Sequence, residues 1–130
     1  MPAGQLLSIV EMGGYPDFKS LYKSKGFQTD TASSMRKAIK MLKKSRPDVI
    51  VAEFNFQSDF RDRTSSLESL MATVQGGGET RVIVFYEQEQ RVQLERLLSV
   101  FDIYKIIPFP VDESLLAETI ESIRQEIQSA

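Results

Sequence analysis

The sequence predicts an α/β domain of three layers, a five-stranded parallel sheet with helices on both faces. Two observations predict it. Short, nearly continuous apolar runs alternate with apolar residues at i, i+3, i+4, i+7, and they do so five times over. No linker or second composition regime interrupts the 130 residues, so the expectation is one domain over 1–130 with its core over about 6–127.

The elements follow in order. Leu6-Leu7-Ser8-Ile9-Val10 is a continuous apolar run closed by Gly13-Gly14, which reads as a buried strand. Asp17 to Lys25 carries Phe18, Leu21 and Tyr22 at helical spacing, with Gly26 as its C-cap. Phe27 to Thr31 alternates as a second strand. Met35, Ala38, Ile39 and Leu42 form the inner stripe of a second helix, and Arg36, Lys37, Lys40, Lys43 and Lys44 form its wet side. Pro47 stops that helix. Val49-Ile50-Val51-Ala52 is the clearest buried strand. A polar stretch separates it from Leu67, Leu70, Met71 and Val74, the third helix, which ends at Gly76-Gly77-Gly78. Val82-Ile83-Val84-Phe85 is the fourth strand, and Leu94, Leu97, Leu98 and Phe101 mark the fourth helix. Tyr104 to Ile107 is a short fifth strand, Pro108-Phe109-Pro110 a turn and Asp112 an N-cap. Leu116, Ile120, Ile123 and Ile127 line the last helix.

Strict β-α alternation at this length calls for parallel strands with right-handed crossovers. The expected arrangement is a flavodoxin-like sheet of order 2-1-3-4-5, in which ligands gather beyond the carboxyl ends of strands 1 and 3. The composition narrows the chemistry at that rim. Without cysteine there is no thiolate nucleophile and no Cys-based metal site, and without histidine the commonest general base and metal ligand are gone. No nucleophile–base pair is readable from spacing, so an enzyme is not expected. No apolar run is long enough to span a membrane. Met1 to Gln5 lacks the basic region of a signal peptide, so a cytoplasmic protein is the expectation. The first third is basic and the remainder acidic. That basic patch has neither interleaved aromatics nor a groove-entering motif, so nucleic acid is not the expected partner. Gly13-Gly14 matches neither a dinucleotide fingerprint nor a P-loop and reads as a tight turn.

Two stretches carry a resemblance. Gly26-Phe27 to Ala32, followed by Ala38, Leu42 and Arg46-Pro47-Asp48-Val49-Ile50-Val51-Ala52, resembles the approach to strand 3 in the receiver domains of bacterial two-component response regulators, the CheY-like family. Asp102 to Phe109, with Pro108-Phe109, resembles that family's strand 5 and the turn after it. The resemblance implies an acidic pair that holds Mg²⁺, an acceptor Asp, a Thr or Ser and a Lys, which together position and neutralise a transferred phosphoryl group. Aligned on this sequence, those positions fall on Glu11 and Met12, on Glu53, on Tyr86 and on Ile107. None retains the family residue, and Lys105 lies two residues along the strand from the lysine position.

The reading is a degenerate pseudo-receiver: a non-catalytic signalling domain that contacts a protein partner, with no cofactor and no metal. Phe54, Phe56 and Phe60 in the polar stretch, and Tyr104, are the candidate interface residues. Helix 4, strand 5 and helix 5 are the surface for a partner or a homodimer. Two alternatives stay open: a receiver that is still phosphorylated or binds Mg²⁺, and a small-ligand domain or enzyme on the same scaffold.

Overall fold

The computed structural model describes residues 4–54, 66–75 and 79–129. Five strands and five helices alternate: β1 Gly4–Ile9, α1 Lys19–Ser24, β2 Phe27–Ala32, α2 Met35–Leu42, β3 Val49–Glu53, α3 Ser66–Gln75, β4 Arg81–Tyr86, α4 Arg91–Leu98, β5 Lys105–Pro108 and α5 Glu113–Ser129. A 3₁₀ turn, Gln88–Gln90, leads into α4. All strand pairs are parallel and the order is β2-β1-β3-β4-β5, as the alternation predicts.

The sheet divides the core in two because successive strand residues face opposite sides. Val49, Val51, Ile83, Phe85 and Ile107 pack with Phe18, Tyr22, Leu116, Ile120 and Ile123 in the α1/α5 layer. Ile50, Ala52, Phe54, Val82, Val84 and Tyr86 pack with Ala38, Leu42, Leu67, Leu70 and Leu94 in the layer of α2, α3 and α4. β3 is buried on both faces along its whole length, which is why its residues read as an unbroken apolar run.

Local chemistry sets the element ends. Ser34 Oγ accepts from Lys37 N at the start of α2, a cap that satisfies one of the helix's orphan donors. Asp112 Oδ1 does the same for α5, accepting from Ser114 N and Leu115 N. Gly26 follows α1 at φ +91°, the left-handed position expected of it. At the amino end of the sheet, Asp48 Oδ2 accepts from Gln5 N at 2.9 Å. That carboxylate lies so close over Gly4 that a Cβ there would collide with it.

α1 begins two residues later than the spacing suggests, because Asp17 stays outside and accepts from Lys19 N. β5 runs Lys105–Pro108, one residue later than expected at each end, although Tyr104 N already bonds to Val82 O. The glycine run 76–78 lies outside the described residues.

Candidate functional site

The carboxyl rim of the sheet is organised around Glu53. As the last residue of β3 it points to the α1/α5 side, like Val51 and Val49 before it, and only 2% of its surface is exposed. A carboxylate buried that far needs donors. The turn after β1 provides them. Met12 N donates to Oε1 at 2.8 Å, Gly13 N to Oε2 at 3.3 Å, and the Tyr15 hydroxyl to Oε2 at 2.5 Å.

Two glycines let the turn curl over the strand end. Gly13 and Gly14 have φ of +70° and +82°, so the chain reverses and presents its N–H groups inward. The two N–H groups that could have approached an external anion are therefore spent on an internal one.

Tyr15 is the residue that sequence reasoning missed. Its ring meets Phe85 edge-on at 5.5 Å and lies 5.4 Å from Phe109, with Phe18 stacked at 6.3 Å. Phe85 in turn packs edge-on against Phe18 and Phe109. The rings close the α1/α5 layer of the core beneath the rim. Burial first, then the hydrogen bond to Glu53 and its charge, push the Tyr15 hydroxyl pKa far above its ordinary value. It therefore remains a donor at neutral pH. The only sequence signal was a Tyr-Pro pair in a glycine turn, which is indistinguishable from an ordinary turn residue.

A groove of about 660 Å³ opens above this cluster. Among the described residues, Met12 to Pro16, Glu53, Glu87, Gln90 and Phe109 to Val111 line it, and none of these is Lys or Arg. Met12 leans outward, 73% exposed, so its backbone rather than its thioether serves Glu53. Glu11 is half-buried and its charge adds to the field on Tyr15.

Two placements differ from the sequence reading. Tyr86 does not fill the pocket beside Glu53. Strand alternation turns it to the other face, where its hydroxyl accepts from Arg91 Nη1 at 2.9 Å; Phe85, opposite Glu53 in the ladder, is the β4 residue on the Glu53 side. Ile107 shares the row of Glu53, since it pairs with Phe85 as Phe85 pairs with Glu53; it is buried in the α1/α5 layer, and Phe109 borders the groove. Phe54 is not an exposed anchor. It is 2% exposed and packs in the layer of α2, α3 and α4, because the residue after Glu53 must face the opposite side. Phe56 and Phe60 lie outside the described residues. Tyr104 is on the surface, and its hydroxyl donates to Glu126 at 2.7 Å.

The described residues alone do not suit Mg²⁺. Both oxygens of Glu53 accept hydrogen bonds, and among the described residues no group of three or more His, Cys, Asp or Glu side chains could hold a metal ion. Nor is any helix of the described residues long and apolar enough to cross a membrane.

No family model matches the sequence, and no curated protein matches it. Solved structures do match its fold. A response regulator receiver domain from Clostridium thermocellum superposes with a TM-score of 0.74 at 16% identity, covering 95% of this chain and 96% of that one. A two component transcriptional regulator from Clostridium phytofermentans gives 0.72 at 16% identity, with 96% and 95% covered. The signal receiver domain of a modulated diguanylate cyclase from Desulfovibrio desulfuricans gives 0.72 at 14% identity, with 96% of each chain covered. Together with the 2-1-3-4-5 parallel order, these similarities show that this chain has the CheY-like receiver fold.

Proposed function

We propose that the chain is a pseudo-receiver: a bacterial, cytoplasmic signalling domain that acts by contact with a protein partner and does not accept a phosphoryl group. The single observation that carries this reading is the occupied carboxylate of Glu53, held by Met12 N, Gly13 N and the Tyr15 hydroxyl. An acceptor must offer a free oxygen to phosphorus, and its transition state needs cations around the equatorial oxygens. Here the oxygens face donors of their own chain, and the described residues lining the groove are mostly apolar, with Glu87 and Gln90 the other polar side chains beside Tyr15 and Glu53.

The contact surface on this reading is the face of α4, β5 and α5. Val92 of α4 and Val100 just after it are each 65% exposed, and Tyr104 before β5 is 36% exposed. Glu126 accepts from both Tyr104 and Arg81, which supports a fixed ring and hence a constitutive surface for a partner or a second copy.

The test is incubation with acetyl phosphate and Mg²⁺ followed by intact-mass and peptide analysis. The expected result is an unchanged mass. A phosphate-mass adduct on Glu53 would overturn the reading in favour of a working receiver.

A further inference from the structure

The outer side of α2 is a ridge of cations. Arg36, Lys37, Lys40 and Lys43 fall within an arc of about 120° at 3.6 residues per turn, and Lys44 continues it; end to end the ridge is about 12 Å long. All five are exposed, and neither α2 nor its C-cap carries an acid. The ion pairs of the described residues are Lys25–Glu121, Arg81–Glu126, Arg91–Glu95 and Arg124–Glu121, so none of them neutralises the ridge. Among the described residues, Lys37 Nζ donates to the Ser33 hydroxyl, at 3.2 Å.

We propose that this ridge binds the phosphate backbone of double-stranded DNA, without reading its sequence. The charge complementarity is direct: five cations spaced along a rod meet a polymer with one negative charge per about 1.7 Å. Other anionic surfaces fit less well. A bilayer-bound helix sinks an apolar face into the headgroup boundary. Here that face is spent in the core, with Met35, Ala38 and Leu42 buried. An acidic protein partner would call for aromatic residues and arginine, whereas lysine is depleted in such interfaces. Four of the five ridge cations are lysines. Double-stranded RNA is recognised by its A-form shape and by 2′-hydroxyl and phosphate contacts over about 16 base pairs, a span far longer than this ridge. Stacking aromatics serve single strands and are not needed for a duplex backbone.

The experiment is fluorescence anisotropy of the full chain with a labelled mixed-sequence DNA duplex across a salt series. Parallel arms use an RNA duplex, phosphatidylserine vesicles and polyglutamate. Binding to duplex DNA should weaken with salt, with a log–log slope of about −4 for four to five neutralised phosphates. The double substitution Lys37→Gln/Lys40→Gln should weaken it about tenfold and reduce the slope by about 2. Lys19→Gln/Lys23→Gln removes the same charge from α1, on the other layer, and should cost less than about threefold. Circular dichroism confirms that each variant is folded. The proposal is overturned if the native chain fails to bind duplex DNA at low salt or the α1 pair costs as much as the α2 pair. Tighter binding to vesicles, polyglutamate or duplex RNA overturns it as well.

Discussion

The Tyr15 hydroxyl donates to Glu53 Oε2 over 2.5 Å, fastening the turn after β1 to the last residue of β3. The bond joins residues 38 apart in sequence, and the ring that carries it is itself seated on Phe85 and Phe109. A buried acid, a phenol and a glycine turn therefore hold one another in place, and most of the following expectations concern that unit.

Removing the hydroxyl alone isolates the bond from the packing. Tyr15→Phe keeps the ring among Phe18, Phe85 and Phe109 and leaves Glu53 Oε2 with the longer contact from Gly13 N. Urea unfolding should show a loss of about 1.5–3 kcal/mol, the range for a hydrogen bond to a charged group. Tyr15→Ala should cost about 3 kcal/mol or more, since it also empties the aromatic seat. Equal losses for the two variants would contradict the role given to the ring.

Glu53→Gln keeps the shape of the side chain and removes its charge. The amide nitrogen would face donors from Met12, Gly13 and Tyr15, so one of the two positions becomes a donor–donor clash. A loss of about 2–3 kcal/mol in urea unfolding is expected. Glu53→Asp should cost a similar amount because the shorter side chain draws back from the turn. It should also leave the chain inert to acetyl phosphate, because no Lys or Arg among the described residues lines the groove.

Alkaline pH should unfold the protein through its tyrosines. Burial is the first cause of the raised pKa at both Tyr15 and Tyr22, and Glu53 adds to it at Tyr15. A folded-state value above the unfolded one means that the native chain keeps its phenolic protons when the unfolded chain has lost them. Their contribution is complete below pH 10.0, the unfolded value, and declines steadily above it. Denaturation midpoints between pH 9 and 12 should be flat and then fall, and both Tyr15→Phe and Tyr22→Phe should make the fall shallower, by about 1 kcal/mol per pH unit for each phenol removed.

Gly13→Ala and Gly14→Ala separate backbone strain from crowding. An added Cβ at Gly13 meets only Val10 Cγ1 at 3.7 Å, and one at Gly14 meets nothing within 4 Å. Each should therefore lose about 1–2 kcal/mol from the left-handed backbone alone. Gly13→Ala should also weaken the grip on Glu53. Thermal unfolding of both variants beside the native chain measures this.

The order of elements was legible because every strand and helix carries its own period, from the Val49–Ala52 run to the Leu116–Ile127 stripe. The caps at Gly26 and Asp112 were legible for the same local reason. At the rim, periodicity ends and a single residue of offset reverses the face. Tyr86 and Phe85 differ by one position, yet only Phe85 stands on the Glu53 side. Phe54 is buried by the same alternation although its neighbours are polar. The lysine position at Ile107 stays in the Glu53–Phe85 row, and there an apolar side chain sinks into the core while Phe109, two residues on, borders the groove. Tyr15 could not be read at all, since its role depends on how two glycines curl the chain back over another strand.

The central sheet works as a partition wall. Glu53 and Phe54 are consecutive, but one belongs to the compartment of α1 and α5 and the other to that of α2, α3 and α4. Damage done by loosening the Tyr15 clasp should therefore stay on its own side. Amide hydrogen exchange in Tyr15→Phe should quicken along α1 and the start of α5 while α2 and α4 keep their native protection, so that one half of the molecule breathes without the other.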